Sequence, residues 1–192
     1  MVPQSLFANQ AEPRWGALGE DGKRGGWISR PGAGAGRVFL STFEKQLDVK
    51  RRIVVPQDFR ILASGPFDGV FCFPSIEADC IEGGGKPLFD RYLGVIEELE
   101  FGDPLRSALE TSVLGGMARL SFDTAGRITL PETLCDMFGL NDWVTIVGLG
   151  DRFQIWSREA FQAHRAAQRE AAREGLASLR AQQRAARVGS AA

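Results

Sequence analysis

The stretch Asp48-Val49-Lys50-Arg51-Arg52-Ile53-Val54-Val55-Pro56 returns 75 positions later as Asp123-Thr124-Ala125-Gly126-Arg127-Ile128-Thr129-Leu130-Pro131. The aspartate, the last arginine, the isoleucine and the proline all keep this offset. A second similarity follows each copy, at residues 67–74 and 150–157. A segment repeated at a fixed spacing is one supersecondary unit used twice, and each copy is too small to bury its own apolar face. The two copies are therefore expected to pack on each other.

Around each copy the apolar pattern predicts the same order of elements. A strand leads into the aspartate turn, a short strand leaves it, and the proline then opens a helix. The sequence thus predicts a mainly β protein with short helices, of the α+β class, in which two units with short edges pair into one closed barrel. The predicted strands cover residues 38–47, 53–55 and 70–73 in the first unit and residues 118–122, 128–130, 144–147 and 153–156 in the second.

Composition along the chain divides it into five segments. Residues 1–37 hold eight glycines and three prolines without any period, which is typical of disorder. Gly83-Gly84-Gly85 predicts a loop that is followed by two helices. The predicted segments are a disordered extension (1–37), a first unit (38–82), a helical connector (83–112), a second unit (113–161) and a helical tail (162–192).

The overall composition excludes several classes of protein. Three cysteines outside any CxxC spacing and one histidine offer neither a disulfide framework nor a zinc site. No apolar run approaches the roughly 20 residues of a membrane span. The sequence also shows no nucleophile–base set, carboxylate pair or phosphate-binding loop. We therefore expect a cytoplasmic protein that is not an enzyme and has no cofactor, metal, membrane partner or evident small-molecule ligand.

Charge is unevenly distributed although the net charge is only −1. Residues 38–157 carry 11 Lys/Arg against 18 Asp/Glu, whereas residues 158–192 carry seven against three. An acidic core excludes a protein that is uniformly coated for nucleic acid. Any contact with nucleic acid must therefore come from a local patch. The sequence offers one at Lys50, Arg51 and Arg52, with Lys45 and Arg60 nearby.

The repeated turn combines a structural device with this positive charge. Asp48 and Asp123 open the two turns, where a carboxylate can accept backbone N–H groups, and Gly126 suits the φ > 0 position that closes the second. If the first turn has the same shape, Arg51 takes the left-handed conformation at a cost of about 1–2 kcal/mol. Each Asp–Arg pair can be a turn staple, and the basic run can be a solvated loop or a phosphate-binding site.

These residues carry a family resemblance. From Val38 to Phe161 the chain resembles the MraZ family, with two DxxxR motifs that each precede an apolar-x-apolar-Pro strand, and with the closing run at residues 147–156. The resemblance implies tandem AbrB-like (SpoVT-AbrB) units that form a swapped-hairpin barrel, and ring-shaped homo-oligomers. It also implies a nucleoid-associated transcriptional regulator that binds short G-rich direct repeats of double-stranded DNA in the promoter of the bacterial division and cell-wall gene cluster.

The resemblance maps the family's motif residues onto Asp48, Lys50 and Arg52 in the first copy and onto Asp123 and Arg127 in the second. With Arg51 of the basic run, the predicted DNA-binding residues are Lys50, Arg51, Arg52 and Arg127, of which Arg127 either contacts DNA or only braces its own turn.

Three features depart from the family pattern: Arg51 stands where a glycine is usual, Phe39-Leu40-Ser41 stands where the family opens with Phe-Arg-Gly, and Val38 stands where the initiating methionine is expected. The last departure suggests that residues 1–37 are an over-called extension. An oligomeric scaffold that binds proteins without touching DNA is the alternative interpretation of the same residues.

Overall fold

The computed structural model describes residues 38–189, with side chains up to residue 184. The predictions for residues 1–37 lie outside this range. Within it, the two copies of the repeated segment lie at equivalent positions in two series of elements that have the same order. The elements are β1 (Thr42–Gln46), β2 (Arg52–Val54), α1 (Gln57–Ala63), β3 (Gly69–Pro74), β4 (Ile81–Gly84), α2 (Lys86–Glu97), α3 (Pro104–Leu109) with a π-helical turn (Glu110–Leu114), β5 (Ala118–Ser121), β6 (Arg127–Thr129), α4 (Glu132–Met137), β7 (Trp143–Gly148), β8 (Phe153–Ser157) and α5 (Arg158–Gly189).

The two units share their strands. β1 of the first unit pairs antiparallel with β7 of the second, and β5 of the second pairs with β3 of the first. The short strands β2 and β6 pair with each other, with Ile53 opposite Ile128. Each unit therefore completes its sheet with strands from the other, as expected for copies that cannot bury their apolar faces alone.

The strands form two antiparallel sheets. One has six strands in the order β1-β7-β8-β4-β3-β5, and the other is the ribbon β2-β6. The α+β prediction is confirmed, but the prediction of a single closed barrel is wrong for the described residues 38–189. Pro56 and Pro131 stand two residues beyond the ends of β2 and β6 and have no N–H to extend a ladder, so the ribbon is limited to three paired residues in each strand.

The ribbon is anchored on the larger core. Ile53 and Ile128 are fully buried at its centre, and each contributes about 1.5–3 kcal/mol by burial. Phe39, Phe59 and Phe153 pack beneath it with ring centroids 5.0 to 5.7 Å apart. Because its centre is held in this way, the ribbon presents its two flanking turns at the surface.

β4 corrects the prediction of a loop at Gly83-Gly84-Gly85. Gly83 and Gly84 lie in a buried strand that pairs with β3 and β8. A Cβ on Gly83 would overlap the ring of Phe153, and one on Gly84 would press on Leu88. Glycine is used here because neighbouring side chains fill the space above the strand.

Helix α5 leaves the body of the fold after its first two turns. Residues 165–184 are all exposed. None of the helices within the described residues combines the length and the apolar character needed to cross a bilayer.

Candidate nucleic-acid interface

The first turn is built around the carboxylate of Asp48. Its Oδ1 accepts hydrogen bonds from the backbone N–H groups of Lys50 and Arg52, both at 2.9 Å. Its Oδ2 accepts from Nε of Arg52 at 2.7 Å, and Nη2 of the same guanidinium lies 2.7 Å away. The side-chain hydrogen bond from Arg52 is the main cause that lowers the pKa of Asp48 to about 2, and the same contact raises the pKa of Arg52.

The second turn repeats this geometry. Asp123 Oδ1 accepts from the N–H groups of Ala125 and Arg127 at 2.9 Å, and Oδ2 accepts from Nε of Arg127 at 2.7 Å. The backbone N–H of Arg127 is the main cause that lowers the pKa of Asp123. Each aspartate thus accepts the same three hydrogen bonds within its turn.

The fourth position of each turn has a positive φ. Arg51 has φ 57° and Gly126 has φ 71°, so the left-handed conformation predicted for Arg51 is confirmed. Its N–H donates to the Asp48 carbonyl, and its own carbonyl accepts from Leu130 N–H, both at 2.8 Å. Because these two bonds fix the backbone on both sides, an arginine is held in a conformation that costs about 1–2 kcal/mol.

The two turns lie at opposite ends of the ribbon. Arg52 pairs with Thr129 and Val54 pairs with Arg127, so the two arginines are offset by two strand residues, or roughly 7 Å along the ribbon. Asp123 is near enough to contribute to the raised pKa of Arg52. The structure therefore brings the four predicted DNA-binding residues to one short ribbon.

These four cations differ in how far they are already engaged. Arg52 and Arg127 are bound to their own aspartates and are about one-third exposed. Lys50 is exposed, and within residues 38–189 it has no carboxylate at salt-bridge distance. Among the described residues, Arg51 meets only the carboxylate of Glu132, at 3.6 Å. The staple interpretation thus fits Arg52 and Arg127, while Lys50 and Arg51 keep most of their charge available to an external anion.

Arg60 is a further cation of the ribbon. Its guanidinium lies directly against the α-carbon of Gly126, where any Cβ would overlap it. At the other end Arg51 reaches α4 beside Glu132 and Cys135. With the offset of 75, Arg51 corresponds to Gly126 and Arg60 corresponds to Cys135. Besides the arginine of its DxxxR motif, each end of the ribbon therefore has one further arginine. At the first turn this is Arg51 of the turn itself, and at the second turn it is Arg60 of α1.

The sequence indicates Arg60 only as a neighbour of the first turn, whereas it lies at the second. When the two repeats are aligned, one has arginine in the turn where the other has glycine, and arginine in the helix where the other has cysteine. This exchange is the signal from which the position of Arg60 at the second turn could have been predicted. Nε of Arg51 and Nε of Arg60 are both shielded from solvent, and the described residues offer neither a hydrogen-bond partner. Across the part of the chain that is described, no cluster of His, Cys, Asp and Glu could hold a metal ion.

The chain is similar to known proteins of one family. The sequence profile described as "MraZ protein, putative antitoxin-like" matches residues 113–183. The chain is 89% identical to the Transcriptional regulator MraZ of Phenylobacterium zucineum (strain HLK1) over 151 residues, which cover 79% of this chain and 94% of that protein.

Two further relatives carry the same name. The Transcriptional regulator MraZ of Caulobacter vibrioides (strain NA1000 / CB15N) is 79% identical over 150 residues, or 78% of this chain and 96% of that protein. That of Rickettsia bellii (strain OSU 85-389) is 36% identical over 145 residues, or 74% and 97%. Such identity over more than two thirds of the chain shows that it belongs to the MraZ family of transcriptional regulators.

Proposed function

We propose that this protein is a sequence-specific DNA-binding transcriptional regulator that contacts the duplex through the two turns of the β2-β6 ribbon. The observation that carries the proposal is the convergence of five cations on a ribbon whose turns are fixed before any ligand arrives. Fixed donors lose less conformational freedom on binding than mobile ones. The relatives named above, which are called transcriptional regulators, support the same role. The five cations are Lys50, Arg51, Arg52, Arg60 and Arg127.

The cations have different roles in this proposal. Lys50 and Arg51 neutralise phosphates, since neither is bound closely to a carboxylate. Arg52 and Arg127 hold the turns and remain about one-third exposed, and an arginine fork can also read the O6 and N7 atoms of guanine.

A ring of subunits would multiply these contacts. The core of the chain is acidic, so a single ribbon gives weak attraction to DNA. We propose a homo-oligomeric ring of subunits with tandem AbrB-like swapped-hairpin units, in which several ribbons engage repeated promoter boxes of the division and cell-wall gene cluster. Linked binding events of this kind raise affinity without any new contact.

The test is a mobility-shift titration of the full chain with the DNA upstream of its own gene. Lys50→Ala is expected to lower affinity, and the slope of log affinity against log salt should become shallower by about 0.9 for each phosphate that the variant no longer neutralises. Lys86→Ala is the matched control, because Lys86 pairs with Asp90 on α2 and does not belong to the ribbon.

Two results would contradict the assignment. Equal loss of affinity in the Lys50 and Lys86 variants would mean that the ribbon is not the site. No shift by the unmutated chain at low salt would favour the protein-binding scaffold.

A further inference from the structure

A groove lies between α5 and the hairpin β7-β8. It encloses about 610 Å³. Val147, Leu149 and Phe161 give it an apolar lining, and Arg165 and Arg169 border it from α5. The groove therefore offers an apolar surface with two guanidinium groups beside it, one helical turn apart.

Two of the three arginines that line this groove have no ion pair within the described part of the chain, and the carboxylate in its lining, Glu77, is bound to the third. Arg152, which also lines it, is engaged by the buried carboxylate of Glu82 and by Glu77, each at 3.3 Å. Arg165 and Arg169 are exposed, and no carboxylate of the described residues is within salt-bridge distance of either. An occupant with an apolar centre and negative flanks would satisfy both the lining and the charge.

The chain itself carries such a feature after α2. Phe101 is 96% exposed and stands at the corner of a turn closed by a hydrogen bond from Asp103 N–H to the Glu100 carbonyl at 3.1 Å. Gly102 follows it with φ 92°, a conformation that few other residues adopt. The turn thus projects a phenyl ring away from the body of the fold.

This turn is held rigid from both sides. The Asp103 carboxylate accepts the Leu105 N–H at 2.7 Å and so caps α3. Nη1 of Arg106 donates to the Leu99 carbonyl at 2.8 Å, and its Nε donates to Glu110 at 2.8 Å. A large aromatic side chain on a fixed loop loses little conformational entropy when it is buried in a partner.

The flanks of the phenyl ring are acidic. Glu97, Glu98 and Glu100 are all exposed. Inside the described range, none of the three forms a salt bridge. The turn therefore has an apolar centre and negative flanks, which complement the apolar lining and the two arginines of the groove.

We propose that the groove bordered by Arg165 and Arg169 receives the Phe101 turn of a second copy of this chain. The phenyl ring lies on Val147 and Leu149, and the glutamates face the two arginines. The two surfaces are different patches of one chain, so the contact is heterologous, and repeating it builds a ring or a filament. This inference rests on the self-association in the proposed function and assigns its interface.

Charge reversal tests the contact in the full chain without DNA, by sedimentation velocity. Arg165→Glu with Arg169→Glu is expected to reduce the assembly to smaller species, and Glu98→Arg with Glu100→Arg to do the same. All four substitutions in one chain restore opposite charges across the contact and should recover the assembly. Arg180→Glu with Arg184→Glu is the matched control, since these exposed arginines have the same spacing on α5 but do not line the groove.

Phe101→Ala provides a second variant that changes no charge and should also weaken the assembly. Circular dichroism of each variant establishes that it is folded. The groove assignment falls if either reversal leaves the assembly intact or if the fourfold variant fails to recover it. If the groove assignment fails in this way but the unmutated chain still assembles and shifts DNA, the proposed function is not contradicted. A monomeric unmutated chain would overturn both the interface and the ring.

Discussion

The two turns have the same hydrogen bonds but differ in the strain at their fourth residue. Arg51 is strained at φ 57°, whereas Gly126 is not strained at φ 71°. Arg51→Gly should raise the free energy of unfolding by up to about 1 kcal/mol, because the relief of strain exceeds the added flexibility of the unfolded chain. The same change should weaken DNA binding, since it removes a cation. Urea unfolding and a DNA titration on the same preparation check both effects.

The reverse substitution at the second turn serves as the comparison. Gly126→Arg should lower the urea midpoint, because its Cβ would displace the guanidinium of Arg60 and its backbone would be strained. A lower midpoint for Arg51→Gly, or an unchanged midpoint for Gly126→Arg, would contradict this interpretation, in which Arg51 adds positive charge to the first turn at a cost in stability.

The Asp48 carboxylate should make stability fall in acid. Its folded pKa of about 2 lies below the ordinary value of 3.8. Its contribution is therefore complete above pH 3.8 and declines as the pH falls from there to about 2. Asp48→Asn should flatten the decline of the melting temperature in that window. An unchanged slope in the variant would contradict this role of Asp48.

At the level of single residues, the repeat predicted the features that depend on residues close together in the sequence. The aspartates, Gly126 and the strained Arg51 all follow from one turn shape, and that shape depends on neighbours in sequence. Arg60 was not predicted at the second turn because its contact with Gly126 joins residues 66 positions apart. Only the alignment of the two copies, with arginine exchanged between turn and helix, carries that information.

At the level of elements, the sequence predicted most strands but not β4. A strand is recognised by alternating apolar and polar side chains, and Gly83 and Gly84 have none to alternate. Their place in the sheet follows from the rings and side chains of Phe153 and Leu88 above them. The separation into a six-stranded sheet and a ribbon could not be predicted from the sequence either, because it depends on which distant strands pair.

Gly83→Ala should therefore be costly. The added methyl would overlap the Phe153 ring and approach Cys72 Sγ, and overpacking of a core typically costs about 1–3 kcal/mol. Chemical unfolding measures the decrease in the free energy of unfolding. Gly65→Ala is the control, since a Cβ there meets nothing within 4 Å. Equal stability of the two variants would mean that β4 can move away from its neighbours.

At the level of the whole molecule, the exchange of strands makes the two units interdependent. β1 finds its partner in the second unit and β5 in the first. A fragment of residues 38–98 should not fold as a monomer, and neither should one of residues 99–189. Mixing them should give a folded one-to-one complex, detectable by NMR spectra and sedimentation. A folded monomer of either fragment would contradict this dependence.

The unequal turns also give the ribbon a polarity. Two-fold symmetric binding proteins read palindromes, because both ends of the protein present the same groups. Here one end has three adjacent cations after Asp48, and the other has Arg127 and Arg60 beside a bare glycine. The ribbon can therefore distinguish the two orientations of a duplex that lies along it. Subunits that face the same way would then read head-to-tail sites in a common orientation, and inverting one box should weaken binding even though its base composition is unchanged.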